Sequence, residues 1–396
     1  MAPRLQLRPA VTFALPILLI ACSEGRSNLG SDMVIDTLPS GVPVVSGPVA
    51  GLWPSGGAWR LTERVRLGSS DDTGPELFGA VWDVELDVYG RIYVLDRMVK
   101  EVRVFGQDGS FIRAFGGAGE GPGEFQDPFG LAWSADGHLW VVDVRLSRYS
   151  VFDTSGAHLR EYRRRVGGYS WPWPGRFDEA GTLYEVSLAA GDPDPLVAFT
   201  PSDELIRGDS FPNALTRPES TNFWDLRNER GFGAFVPIPF GRSSEWVLDS
   251  EPAVWVGHSR DYSIAKRTLT GDTILLMVRR TDAVAVSKRE RDREIERLDE
   301  YTSHPKMDLS RIPSTKPFFR RLIPDDDGNL WVLREGRDED WFFDVFNDEG
   351  AYLGAVDLPV TPSLIPPPLV RSGTVLVVTR DEFDVQYVVA FEIRRP

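Results

Sequence analysis

Between residues 78 and 396 the chain reads as short apolar or alternating runs, each closed by a turn that carries glycine. Arg91-Ile92-Tyr93-Val94-Leu95 and Val102-Arg103-Val104-Phe105 have the two-residue period of half-buried strands. The turns Asp108-Gly109 and Ser155-Gly156 offer the positive φ that a tight hairpin requires. Shifted by 47 residues, 81–115 overlays 128–162 without a gap, so that Gly90 meets Gly137, Val94 meets Val141, Asp96 meets Asp143, Phe105 meets Phe152 and Gly109 meets Gly156. Each copy predicts turn, strand, loop, strand, glycine turn, strand.

Three further copies carry one consistent change. From the turn glycine to the third-strand phenylalanine the distance is 15 residues in the first two copies (90 to 105, 137 to 152) and 18 in the next three (181 to 199, 328 to 346, 373 to 391). The extra residues fall between the second and third strands, where a loop absorbs them without changing which face each side chain occupies. A weaker copy surrounds Ala253-Val254-Trp255-Val256, with Pro252 in place of the turn glycine and Gly271-Asp272 as its later turn. These six units span roughly residues 78–396, and periods of 40 to 50 residues with several short strands each predict an all-β fold, a six-bladed β-propeller of four-stranded blades.

The repeats resemble the NHL family in the order apolar strand, Asp, basic loop, then Val-x-Val-Phe-x-x-x-Gly, as in Val102 to Gly109. The stretch Phe115-Gly116-Gly117 through Gly121-Pro122-Gly123-Glu124-Phe125 is similar to that family's inter-blade linker. The whole chain looks like the bacterial six-bladed propeller lipoproteins, a resemblance that speaks to fold far more than to activity.

The last unit supplies about three strands, and Trp59 to Leu67 is a spare strand ahead of the first repeat. It is expected to complete the last blade, joining the two ends of the propeller and removing an open edge. Two stretches depart from the repeat. Residues 206–235 read as a long connection bearing Phe223, Trp224, Phe232 and Phe235, and 287–301 as a helix opened by a Ser287/Glu290 capping box. That helix is dense in charge and is expected to be a solvated strut packed lightly on the propeller, with a partner-binding helix as the sharper alternative.

Before the repeats the pattern changes. Residues 1–21 carry Arg4 and Arg8, no acid, and an apolar run from Pro9 to Ala21, which is the build of a secretory signal. The run is short of the roughly 20 apolar residues that a spanning helix needs. Leu19-Ile20-Ala21-Cys22 resembles the bacterial lipobox. That resemblance implies lipidation of Cys22, removal of the leader before it, and anchoring by several acyl chains, which together hold firmly. Ser23, rather than Asp, points to the outer membrane. Residues 22–55, rich in Gly, Ser and Pro, read as a flexible tether, and 56–396 as the propeller. Cys22 is the only cysteine, so no intramolecular disulfide can form. Without Arg4 and Arg8 the chain has 42 Lys and Arg against 59 Asp and Glu, a formal −17, which repels phosphate backbones and argues against nucleic acid.

Catalytic signatures are sparse. Four histidines (His138, His158, His258, His304) form no metal motif, and there is no Gly-x-Ser-x-Gly elbow. The glycines of 116–123 lack the Lys-Ser/Thr of a phosphate loop and read as a blade linker, and Asp325-Asp326-Asp327-Gly328 reads as a turn rather than a calcium loop. Six-bladed lactonases resembling gluconolactonase place Glu, Asn and Asp on inner strands around a divalent ion. Here the inner-strand starts carry Trp82, Phe129, Trp173, Arg320 and Arg321, so no metal or cofactor is expected. One face gathers aromatic and basic residues: Arg97, Lys100, Arg145, Arg148 and Arg260 in loops between second and third strands, Trp171, Trp173 and Trp224 in inter-blade connections. Asp96, Asp143 and Asp261 beside these arginines suggest local ion pairs. Trp171, Trp173, Arg145, Arg148, Trp224 and Arg260 are therefore the expected ligand-binding residues of a monomeric envelope module for a peptide, glycan or envelope protein. The alternative is a lactonase-like hydrolase or lyase working in the channel.

Overall fold

A computed structural model describes residues 34–396 apart from 48–49, 71–72, 165–172, 187–195, 216–221, 228–232, 250, 299–300 and 302–303. The turn glycines Gly90, Gly137, Gly181, Gly328 and Gly373 all have positive φ, between 67° and 86°. Two residues after each, the second strand pairs with the expected phenylalanine: Ile92 with Phe105, Leu139 with Phe152, Leu183 with Phe199, Leu330 with Phe346 and Val375 with Phe391. The added residues thus lie beyond a register common to these blades. Those five rings are buried and fill the space between blades.

Five blades are consecutive antiparallel sheets with inner strands Val81–Leu86, Pro128–Trp133, Arg176–Phe177, Ser244–Leu248 and Arg321–Pro324. The sixth joins Leu369–Arg371, Thr374–Arg380 and Gln386–Arg394 to the early strand Arg60–Leu67. The protein is an all-β six-bladed propeller, and the expected clasp between its ends is present. Gln386 Oε1, accepting from Val81 N at 2.8 Å, carries the closure on to blade 1.

An aspartate six residues before an aromatic recurs on the hairpin joining first and second strands. Asp178 accepts from Tyr184 Oη at 3.1 Å, Asp249 from Trp255 Nε1 at 3.1 Å and Asp325 from Trp331 Nε1 at 2.9 Å. Asp325 also accepts from the amides of Asp327 and Asn329, so the Asp-rich run is a capped turn.

Three expectations need correction. The stretch 22–55 is not tether throughout: Val34–Thr37 and Pro43–Ser46 form a hairpin whose second strand pairs in parallel with Thr273–Val278, widening blade 4 to six strands. Its β-branched residues, with Val45 buried against Leu275 and Met277, outweigh the flexible composition around them. The long connection starts later than residue 206, because Leu205–Phe211 is the outermost strand of blade 3. The helix Lys288–Arg297 has its capping box but is no lightly packed strut. Ile295 and Leu298 pack into a cluster with Trp224, Val236, Ile238, Phe240 and Ile312, and Arg291 donates to the carbonyls of Leu309 and Ile312. The two insertions therefore share one small core. Among the described residues no helix is long and apolar enough to cross a membrane.

Candidate functional site

The second strand of blades 1 and 2 ends in an aspartate whose carboxylate oxygens are taken up by backbone amides. Asp96 accepts from the amides of Gly79 at 2.7 Å and Ala80 at 3.0 Å in the preceding linker, and Met98 at 3.1 Å in its own loop. Asp143 accepts from Gln126, Asp127, Arg145 and Leu146 in the same way. These buried carboxylates fasten the inter-blade linkers to the loops between second and third strands, which makes one end of the propeller, the linker end.

The arginines expected to pair with them look elsewhere. Arg97 Nε donates to Asp127 at 2.7 Å, and its guanidinium lies over the edge-on pair of Trp82 and Phe129, 4.4 and 4.1 Å from their centroids. Arg148 is 2 % exposed and donates to Glu161 Oε2 at 2.8 Å and to the carbonyls of Glu120, Gly121 and Glu124 at 2.6–3.1 Å. The glycine-rich 116–123 stretch is thus a linker whose carbonyls wrap an arginine.

Trp173, an expected ligand-binding residue, is 3 % exposed and packed between blades 2 and 3. Its Nε1 donates to Glu185 Oε2 at 3.0 Å, beside Tyr149 Oη on the same oxygen at 2.5 Å, and Arg164 bonds the other oxygen. Trp224 is 1 % exposed, sits in the insertion core and donates to the Asp308 carbonyl at 3.0 Å. Burial of these large rings between packed elements leaves neither a platform for a ligand, and Arg148 is likewise enclosed. Arg145 and Arg260 are exposed at the linker end. Trp171 and Cys22 lie outside the described residues.

Besides Arg321, the inner strands hold charged residues that their repeat positions did not single out. Asp83, Glu85, Arg176, Glu245, Arg321 and Arg371 are partly water-exposed, while Val84, Leu86, Phe177 and Val370 beside them are buried. They bridge neighbouring blades around a polar lumen. Asp83 Oδ2 accepts from Leu131 N at 2.8 Å, Arg176 Nη1 donates to the Leu248 carbonyl at 3.0 Å, Arg321 Nη1 pairs with Glu245 at 3.1 Å, and Arg371 Nη1 pairs with Glu85 at 2.8 Å. Instead of an aromatic and basic lining, the lumen has acids and bases in balance. The signal was legible as charge at alternate positions, Asp83 and Glu85, inside an otherwise apolar strand.

Protein surrounds these groups even though water reaches them. Burial, with Glu85 nearby, pushes the Asp83 carboxyl well above its usual range. Burial also raises Glu85, against the pull of Arg371 and Arg176. Among the described residues no three His, Cys, Asp or Glu side chains converge as a metal-ligand set. A separate cleft of about 560 Å³ lies at the linker end of blade 5, lined by Glu339, Asp340, Trp341, Phe342, Asp357 and Pro359 among others. The insertion helix borders it through the Arg293–Glu339 ion pair.

A domain family described as 6-bladed beta-propeller matches residues 76–164, which span blades 1 and 2. No curated protein sequence matches at a significant level. Solved structures are similar at low identity. A member of the duf4221 family from Bacteroides vulgatus is 11% identical over 86% of this chain and 99% of that one, with a TM-score of 0.45. Virginiamycin B lyase from Staphylococcus aureus is 12% identical over 85% and 99%, with a TM-score of 0.43. The gluconolactonase XC5397 from Xanthomonas campestris is 13% identical over 83% and 98%, with a TM-score of 0.40.

Proposed function

We propose that the protein is a binding or scaffold module, displayed at a bacterial cell envelope by a lipid on Cys22, which takes a peptide, glycan or partner protein on its linker end. The observation that carries this reading is the inequality of the two ends. The opposite end consists of short hairpins such as those at Gly90, Gly137 and Gly328, with the segment ahead of the clasp strand packed on those of blade 5 through Trp53 and Trp59. The linker end carries both insertions with their own core, the 560 Å³ cleft and the exposed Arg145 and Arg260. Loops positioned by a rigid scaffold are where recognition concentrates.

Site-specific photo-crosslinkers at Arg145 and at Asp108, an exposed turn residue of the opposite end, test it in cells. Adducts from position 145 and not from 108 are expected; adducts from 108 alone, or from neither, would refute it. The anchor is tested separately. Cys22→Ala should leave the membrane fraction or accumulate as uncut precursor, and normal maturation with unchanged fractionation would remove the anchor. The second reading, a hydrolase or lyase in the channel, draws on Asp83, whose raised carboxyl has the character of a general acid. Its bonds to the amides of Val84 and Leu131 serve the strands instead, which favours binding.

A further inference from the structure

The first-to-second-strand end of the lumen combines two arginines with a single adjacent carboxylate. Arg176 on the inner strand of blade 3 and Arg371 on that of blade 6 come from opposite sides of the ring. Arg371 has its partner in Glu85, at 2.8 Å. The other lumen arginine, Arg321, has Glu245, and Arg320 next to it has Glu335 at 3.4 Å. Arg176 differs: among the described residues it donates one hydrogen bond, to the Leu248 carbonyl, and has no ion pair.

Nearby acids do not make up the difference. Asp249 is held by Lys266 at 2.6 Å and by the Trp255 indole. Asp326 accepts from the Ser372 amide at 2.9 Å on an exposed turn. Glu85 lies within reach of both arginines, but its ion pair is with Arg371, and burial, then the charge of Arg371, make the charge on Arg176 harder to hold. An enclosed cation that lacks a counter-ion is costly, and a guanidinium presents a fork of donors matched to an oxyanion. The partial exposure of Arg176 and Arg371 shows that water reaches them.

We infer that this end of the lumen is an oxyanion-binding site, in which Arg176 and Arg371, from opposite blades, hold a carboxylate or phosphate group. The site is distinct from the linker-end surface and stands whether or not that surface has a ligand.

The test is thermal unfolding of the purified propeller with graded sodium acetate or sodium phosphate, against sodium chloride at matched ionic strength. One anion should raise Tm saturably beyond chloride, because a ligand of the native state stabilises by mass action. The more effective of the two names the group, carboxylate or phosphate. Arg176→Gln should weaken the response about tenfold or more, as expected for loss of a charge-assisted pair. Arg297→Gln, on the exposed face of the insertion helix, should leave it unchanged. Absence of any effect beyond chloride, or an undiminished response in Arg176→Gln, would overturn the site. Should Arg176→Gln fail to fold, Glu85→Gln decides: it frees Arg371 and should strengthen the response severalfold, and an unchanged or weaker one overturns the proposal.

Discussion

Deleting residues 56–68 removes no recognisable repeat, yet it should cripple the propeller. The strand Arg60–Leu67 runs antiparallel to Gln386–Arg394 from Arg60 opposite Arg394 to Leu67 opposite Val388. Leu67 and Val65 are buried against Val378, Val388 and Ala390 and face the Val81 and Val84 layer of blade 1. Burial of one such side chain stabilises by about 1.5–3 kcal/mol, so the pair contributes about 3–6 kcal/mol. Trp59 adds contact with Trp331 at 5.8 Å and with the Arg395 guanidinium at 4.5 Å. A domain's whole stability is about 5–15 kcal/mol, so the loss approaches the total. It also bares the edge of Gln386–Arg394 to pairing with other chains. Urea unfolding followed by tryptophan fluorescence should show a midpoint lowered by at least a third, or no cooperative transition. A synthetic peptide of residues 57–68 added in trans should recover part of the loss. An unchanged midpoint and slope would refute the clasp.

Glu185→Ala strips the shared acceptor from Tyr149, Trp173 and Arg164 and leaves an enclosed guanidinium unpaired; a cost of about 3–5 kcal/mol in chemical unfolding is expected, and less than 1 kcal/mol would contradict the network. Gly116→Ala and Gly117→Ala form a matched pair, both at φ near +105°. At 116 a Cβ would lie 2.4 Å from the Phe125 ring, whereas at 117 it meets nothing within 4 Å, so the first should lose several degrees of Tm more than the second. For Asp83 the native pKa lies above the unfolded value, so the native state binds the extra proton and stability falls as pH rises from the unfolded pKa through the native one. Relative to Asp83→Asn, which does not titrate, the wild type should therefore lose stability as pH climbs from about 4 toward neutrality. A difference between the two that is constant across that range would show that Asp83 keeps an ordinary pKa.

Much of the architecture could be read from the chain because a propeller repeats a local pattern. The spacing of Gly90 to Phe105 and its copies follows from hairpin geometry within one blade, and the capping box at Ser287 needs only the residues beside it. The clasp was visible as a strand without a local partner. What the sequence did not disclose depends on which elements stack. Trp173 and Trp224 read as surface aromatics because loop position says nothing about the layers that cover them. Arg148 reads as a rim cation, yet the linker carbonyls that enclose it converge only after folding. Residues 34–46 pair with blade 4, across more than 200 residues of chain, so no local period could announce the partner. The lumen illustrates the same division. Asp83, Glu85, Arg176 and Arg371 are far apart in sequence, and only closure of the ring sets opposite blades close enough for their charges to act on one another.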